Sequence, residues 1–217
     1  MPKSKVVLSE PVYDYILQMV INKELKPGDR IPETKIAEKF TISRTPVRDA
    51  MRRLSNEGII DIFPNRYAQV KVYSEKSITE IGTLRVALDT ISVKLASLYG
   101  SRSDFLHLAD LAKQLEEAYE KKNSLLKKKL DCDFHLFLSQ ISGNELLIKY
   151  QKELYLRVQY IMIFYENPVE NVKRYIKQHN EIAQALMEGN EKLAESIIID
   201  HLTSFYNLSD KFPSNFF

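Results

Sequence analysis

Thr41-Ile-Ser-Arg-Thr-Pro-Val-Arg-Asp-Ala-Met-Arg-Arg-Leu-Ser-Asn-Glu-Gly58 is the most informative run of the chain. At about 100° per residue, Val47, Ala50, Met51 and Leu54 share one arc, while Arg44, Arg48 and Arg52 share the neighbouring one. Ser43 or Thr45 can cap the helix start, and Pro46 suits a first turn that needs no amide donor. Gly58 stops the helix. A helix that reads DNA needs this division, with one face anchored in a core and arginines near its N-terminus aimed at base edges and phosphates. An ordinary amphipathic helix with a solvated basic face has the same charge spacing.

Upstream, Val12, Ile16, Met19 and Val20 predict a first helix starting at Ser9 and Pro11, closed by a turn at Lys26-Pro-Gly-Asp29. Ile36, Ala37 and Phe40 predict a short second helix. Downstream the period changes from three-and-four to two. Ile60 and Ile62, then Val70 and Val72, alternate around a Pro64-Asn65 turn, which is a hairpin pattern. Three short helices and a hairpin within about 70 residues form a winged helix-turn-helix layout.

After a short polar connection at residues 74–77, apolar spacing is helical throughout. The stripes are Ile78-Ile81-Leu84-Leu88-Ile91-Leu95-Leu98, Phe105-Leu108-Leu111-Leu115-Ala118, Leu126-Leu130-Phe134-Phe137-Ile141, Leu147-Tyr150-Leu154-Ile161, Val172-Ile176-Ala183-Leu186 and Leu193-Ile197-Phe205. Gly100, Gly143 and Gly189 mark stops between them, and the lysine-rich run from Lys121 to Lys129 reads as a solvated face and turn. The expected fold is mainly α: an N-terminal winged helix-turn-helix over residues 1–74, then a C-terminal antiparallel all-α helical bundle over residues 75–217. About 140 residues suffice for the bundle to own a core.

Composition agrees with two globular domains. The 217 residues are 44% hydrophobic and 28% charged, which excludes a wholly disordered or collagen-like chain. No run approaches the ~18 apolar residues of a membrane span, and Met1-Pro-Lys-Ser-Lys leads into no signal-like segment. The single cysteine, Cys132, cannot form an internal disulfide. A cytoplasmic protein is expected. The formal charge of +2 divides into +4 over residues 1–74 and −2 over the remainder, so the front end is the part suited to a polyanion.

Three of the four histidines fall on apolar stripes of different helices. His135 lies one turn after Asp131, so carboxylate and imidazole share a face. His179 continues the stripe of Ile176, Ile182 and Ala183, and His201 that of Ile197, Ile198 and Phe205. Inward-pointing imidazoles and a carboxylate need partners and suit borderline divalent ions such as zinc or nickel. Separate hydrogen-bonded core histidines would leave the same pattern, and both readings stand at this level. His107 is expected to be structural, Cys132 matches no ligand position, and Asp133 is expected to face solvent.

Resemblance adds to these readings. Leu25-Lys-Pro-Gly-Asp-Arg-Ile-Pro-Glu33, Ile36-Ala-Glu38, Ser43-Arg-Thr-Pro-Val-Arg-Asp-Ala50, Leu54, Glu57-Gly58 and Pro64-Asn-Arg66 resemble the DNA-binding domain of GntR-family bacterial transcription regulators. That likeness covers residues 9–72. It implies DNA contacts by Ser43, Arg44, Thr45 and Arg48, with Arg66 in the wing. Tyr67 stands where the wing glycine is usual, and Thr34 where some members carry a basic residue.

Asp131-Cys-Asp-Phe-His135 with Ser142-Gly-Asn144, Gln178-His179, Gly189-Asn190 and His201 resembles the FCD effector-binding domain of the FadR subfamily, over about residues 77–209. It implies a divalent metal, zinc or nickel, on Asp131, His135, His179 and His201. It also implies an effector carboxylate met by Arg85, in a helix where Asp89 replaces the usual glutamate; an Arg85–Asp89 structural ion pair is the other reading. The expected function is a ligand-responsive, sequence-specific transcription regulator, a repressor acting as a homodimer on a palindromic double-stranded operator and sensing a small carboxylate. The alternative is a metal-dependent enzyme acting on a small carboxylate with a fused DNA-binding domain.

Overall fold

The computed structural model describes residues 5–64, 66–165, 172–209 and 211–212. The chain divides into two compact units, one ending at Tyr73 and one beginning at Ser74. Among the described residues no helix is long and apolar enough to cross a membrane.

The first unit holds α1 (Lys5–Ile21), α2 (Glu33–Phe40), α3 (Arg44–Asn56), β1 (Ile60–Phe63) and β2 (Tyr67–Val70). Val12, Ile16 and Val20 of α1, Ile36 of α2, and Val47, Ala50 and Leu54 of α3 are all buried, which is the 3.6-residue periodicity converted into one shared core. The strands pair antiparallel with Ile60 opposite Val70, both buried, so the hairpin is sealed onto that core at its open end. Asn65, within the expected turn, lies outside the described residues. One expectation is corrected: α1 begins at Lys5, so Pro11 sits inside the helix rather than at its start. Proline there removes one intrahelical donor, a cost offset by the packing of the following turns.

The second unit holds α4 (Glu75–Tyr99), α5 (Arg102–Glu120), α6 (Ser124–Ile141), α7 (Glu145–Phe164), α8 (Val172–Met187) and α9 (Glu191–Phe205). Side-chain caps define most of the helix starts: Ser74, Ser101, Asn123, Asn144 and Asn190 each accept from an amide three residues on. Ser74 therefore opens α4 rather than belonging to a connection. The lysine-rich run is likewise divided, with Lys127 to Lys129 inside α6 and Lys128 buried.

Gly58, Gly143 and Gly189 take positive φ after their helices, as stops do. Gly100 does not; its backbone is extended at φ −70°, ψ 145°. Glycine is needed there for space, since a Cβ would lie 2.6 Å from the Phe105 ring and from the Ala96 carbonyl.

The largest correction concerns α4. Its expected apolar stripe is not wholly buried: Leu84, Ile91 and Leu98 are 50%, 47% and 69% exposed. The side turned inward carries Gly82, Arg85, Val86, Asp89, Ser92, Val93 and Ala96. Two charged groups therefore face a core, a placement tolerated only when each finds a partner.

Candidate metal centre and nucleic-acid interface

In the first unit the turn between α2 and α3 is set by Thr41, which closes α2 in the left-handed conformation with its amide on Glu38. The chain then enters α3 through Ser43, whose extended backbone places it at the cap position without a side-chain cap bond. Ser43, Arg44, Thr45 and Arg48 are exposed. Arg44 and Arg48 of α3, Lys35 of α2 and Arg66 after β1 line one groove of about 930 Å³. Arg48 is already engaged there, its Nε 2.8 Å from Glu33 Oε1. Among the described residues Arg44 has no ion-pair partner. Tyr67, where a glycine was the family expectation, packs its ring 4.8 Å from that of Phe63 and lies under the Arg30 guanidinium. The groove carries exposed cations from α3 and from the hairpin turn, the kind of group that meets a polyanion backbone.

In the second unit Asp131 and His135 of α6, His179 of α8 and His201 of α9 converge. All four are buried, and one ligand atom from each lies within 4.8 Å of the others. A divalent ion with bonds of about 2.1 Å sets its ligand atoms about 3–4.2 Å apart, so a small inward shift closes the set. The ring nitrogens supply an independent test. Nε2 of His179, Nε2 of His201 and both ring nitrogens of His135 are buried without hydrogen-bond partners, so three imidazoles in one place each have at least one orphaned nitrogen. The other nitrogens of His179 and His201 are held from outside: His179 Nδ1 donates to the Tyr175 carbonyl at 3.1 Å, and His201 Nδ1 to Gln178 Oε1 at 3.3 Å. Gln178 is itself oriented by donating to Asp200. Nδ1 donors fix the tautomer that leaves a lone pair on Nε2, the arrangement that metal-bound histidines use. The residues fit a divalent ion.

Around them lies a buried polar shell. Asp131 Oδ1 accepts from Tyr175 at 2.5 Å and stands 3.3 Å from His179 Nε2, while its Oδ2 is 3.4 Å from Arg85. Arg85 also donates to Tyr155 at 2.9 Å and pairs with Asp89 at 3.3 Å; Asp89 accepts from Tyr155 and from Gln151 of α7. Arg85 thus makes the ion pair with Asp89 and also points its other end at the Asp131 carboxylate. Gly82 permits this crowding, since a Cβ there would lie 2.5 Å from the Tyr206 ring. Sequence reading missed Tyr155, Gln151, Tyr175 and Tyr206 as site residues. Their signal was available only as hydrogen-bonding groups lying among apolar stripe positions. Asp133 turns outward and pairs with Lys129, and His107 is exposed with its ring edge on Phe137.

Burial works to raise the Asp131 carboxyl, but the His179 ring and the Arg85 guanidinium outweigh it and hold the group well below the carboxylate range. Burial, with Arg85, pushes His135 well below the ordinary imidazole value; burial, with His179, does the same to His201. Burial pushes Asp89 up to about 6. An ionised carboxylate beside neutral imidazoles is the protonation state a metal needs.

These directions predict the pH dependence of the metal-free protein. Below about pH 6.5 the unfolded chain takes protons on the two histidines that the folded chain refuses, so stability falls with pH. Asp89 opposes this with one proton between its unfolded value and about 6. Two histidines outweigh one carboxyl, and the melting temperature of chelated protein is expected to fall steadily from about pH 7.5 to about pH 5. A flat or rising profile by differential scanning calorimetry would contradict the buried neutral imidazoles.

A winged helix-turn-helix carrying a basic groove, in one chain with a second, helical unit, defines a class: the transcriptional regulators whose DNA-binding domain is followed by a helical domain. Comparison with known proteins bears this out. Residues 8–70 match the family described as bacterial regulatory proteins, gntR family, and residues 80–204 match the FCD domain. The chain belongs to the GntR family, in its FCD-bearing, FadR-type architecture.

It is 26% identical over 198 residues to the HTH-type transcriptional repressor RspR of Escherichia coli, covering 90% of this chain and 86% of that protein. It is 26% identical to the HTH-type transcriptional regulator LutR of Bacillus subtilis, covering 91% and 99%. The fold matches that of E. coli McbR/YncC with a TM-score of 0.77 at 22% identity, over 94% of this chain and 97% of the other. A GntR regulator from Rhodococcus sp. RHA1 matches with 0.78 at 21% identity, over 92% and 95%.

Proposed function

We propose that this chain is a ligand-responsive repressor that acts in the cytoplasm as a homodimer on a palindromic operator. Residues 1–74 read the DNA, through Ser43, Arg44, Thr45, Arg48 and Arg66. Residues 75–217 hold a divalent ion, zinc or nickel, on Asp131, His135, His179 and His201, and sense a small carboxylate with Arg85. The observation that carries the sensing half is the convergence of three imidazoles with orphaned nitrogens and an ionised carboxylate in a buried site. The bound ion would supply Lewis acidity and coordination positions open to a carboxylate.

The protein's own groups supply the rest. The guanidinium of Arg85 offers a fork suited to a second carboxylate oxygen. Tyr175 and Gln178 keep Asp131 and His201 in place. The likeness to RspR, a transcriptional repressor, supports the sign of regulation.

Coupling between two such sites is typically about 1–3 kcal/mol, a 5–150-fold change in operator affinity. The test is a titration of zinc-loaded and nickel-loaded protein against a duplex selected from random sequence, with and without lactate, malonate or citrate. A change of this size with one acid, absent in Arg85→Lys, is expected. Unchanged affinity with every small acid would remove the sensing reading, and consumption of the acid would return the enzyme alternative.

A further inference from the structure

The three imidazoles of the buried centre are not held alike. Nδ1 of His179 has the Tyr175 carbonyl as its outer partner, and Nδ1 of His201 has the Gln178 amide oxygen. His135 has neither kind of support, since both of its ring nitrogens are buried without a hydrogen bond. A neutral imidazole has one N–H to place and one lone pair to fill, so this ring is incomplete at both ends.

The carboxylate that faces it is Asp89 of α4. Its Oδ2 stands 3.6 Å from His135 Nδ1, about 0.6 Å beyond a good N–H···O bond. Asp89 is fully buried, yet it lies outside the set of four residues whose ligand atoms converge. Its remaining contacts leave room for another donor. Oδ1 accepts from Gln151 at 2.8 Å, and Oδ2 accepts from the Tyr155 hydroxyl at 2.6 Å. Arg85 Nε is nearer the Tyr155 oxygen, at 2.9 Å, than Asp89 Oδ2, at 3.3 Å, so Oδ2 receives only the weaker arm of a shared donor.

We propose that Asp89 is a positioning residue of the metal centre. It takes the Nδ1–H of His135 and fixes the tautomer that turns Nε2 into the site, completing for the third imidazole what Tyr175 and Gln178 do for the other two. This rests on the metal reading above and assigns a role to a residue that reading left as the partner of Arg85. The pairing of helices supports it. Asp131 and His135 lie one turn apart on α6, and Arg85 and Asp89 lie one turn apart on α4. Arg85 meets Asp131 at 3.4 Å while Asp89 meets His135, so each ligand from α6 has one charged group of α4 behind it. That gives the two charges on the inward side of α4 a shared purpose. A carboxylate behind a histidine also makes its ring more basic than a carbonyl or an amide oxygen does.

The test is zinc affinity of the full chain, measured by competition with a chromogenic chelator, with helical content followed by circular dichroism. Asp89→Asn is expected to bind zinc about 10–100-fold more weakly than wild type. Removing the carboxylate also uncovers the Arg85 charge, so the same substitution is made in Arg85→Met protein. There the loss is expected to persist at a similar size. A loss that vanishes in that background would make Asp89 only the counter-charge of Arg85 and overturn the assignment.

If Asp89→Asn fails to fold, wild type decides by nuclear magnetic resonance of zinc-loaded protein with isotope-labelled histidine. The His135 ring, assigned by its contact with the stacked Tyr155 ring, is expected to hold zinc through Nε2 and to keep a slowly exchanging, downfield proton on Nδ1. Zinc on Nδ1 of His135, or wild-type zinc affinity in Asp89→Asn, would overturn the role of Asp89 while leaving the four-ligand site intact. A wild type that takes up no zinc would overturn both.

Discussion

The His179→Ala/His201→Ala double variant is expected to lose a bound divalent ion that wild type carries at about one per chain. It is also expected to lose the stability that the ion confers. Ligand bound at about 1,000 times its dissociation constant stabilises by about 4 kcal/mol, which for a unit of this size is a melting shift on the order of 10 °C. The comparison that matters is with chelated wild type. Each orphaned Nε2 costs about 1–3 kcal/mol in the metal-free fold, and each alanine removes that cost while leaving a cavity of similar penalty. The double variant should therefore melt close to chelated wild type, and added zinc or nickel should raise only wild type. Elemental analysis and calorimetry measure both. A variant equally destabilised with and without chelator, in a wild type that takes up no metal, would make the histidines packing residues and sink the four-ligand site.

The second large effect is on DNA. Arg44→Ala is expected to cost about 1–3 kcal/mol of operator binding, a loss of roughly 5–150-fold at fixed salt. It should leave the melting temperature of the domain unchanged, because Arg44 is exposed and supports no core contact. Arg48→Ala is expected to cost less. Arg48 must exchange its 2.8 Å pairing with Glu33 for the nucleic acid, whereas Arg44 leaves only water. A titration in which Arg44→Ala binds as wild type, or in which the Arg48 variant is the weaker, would displace α3 as the element that reads DNA.

Much of this molecule follows from local rules that need no knowledge of the whole. The spacing of Val47, Ala50, Met51 and Leu54 beside an arc of three arginines, the change of period at Ile60, and the stops at Gly58, Gly143 and Gly189 are consequences of helix and strand geometry within a few residues. Asp131 and His135 share a face because they are one turn apart. The family likeness supplied what spacing could not, namely that His179 and His201, distant in sequence, belong with them. Where local rules failed, a second local effect was at work. Pro11 looked like a helix start, yet the turns after it anchor the helix well enough to carry a proline inside.

The sequence alone therefore determined the elements, their order and the family. Only the tertiary structure decided which side of α4 faces inward. Periodicity reports that residues share a face, and it is blind to what covers that face. The leucines of α4 make the stronger stripe, but Arg85 and Asp89 lie inward because α6, α7 and α9 bring Asp131, Tyr155, Gln151 and Tyr206 to meet them. A buried charge is acceptable when its partners surround it, and those partners are set by packing between segments up to 121 positions apart.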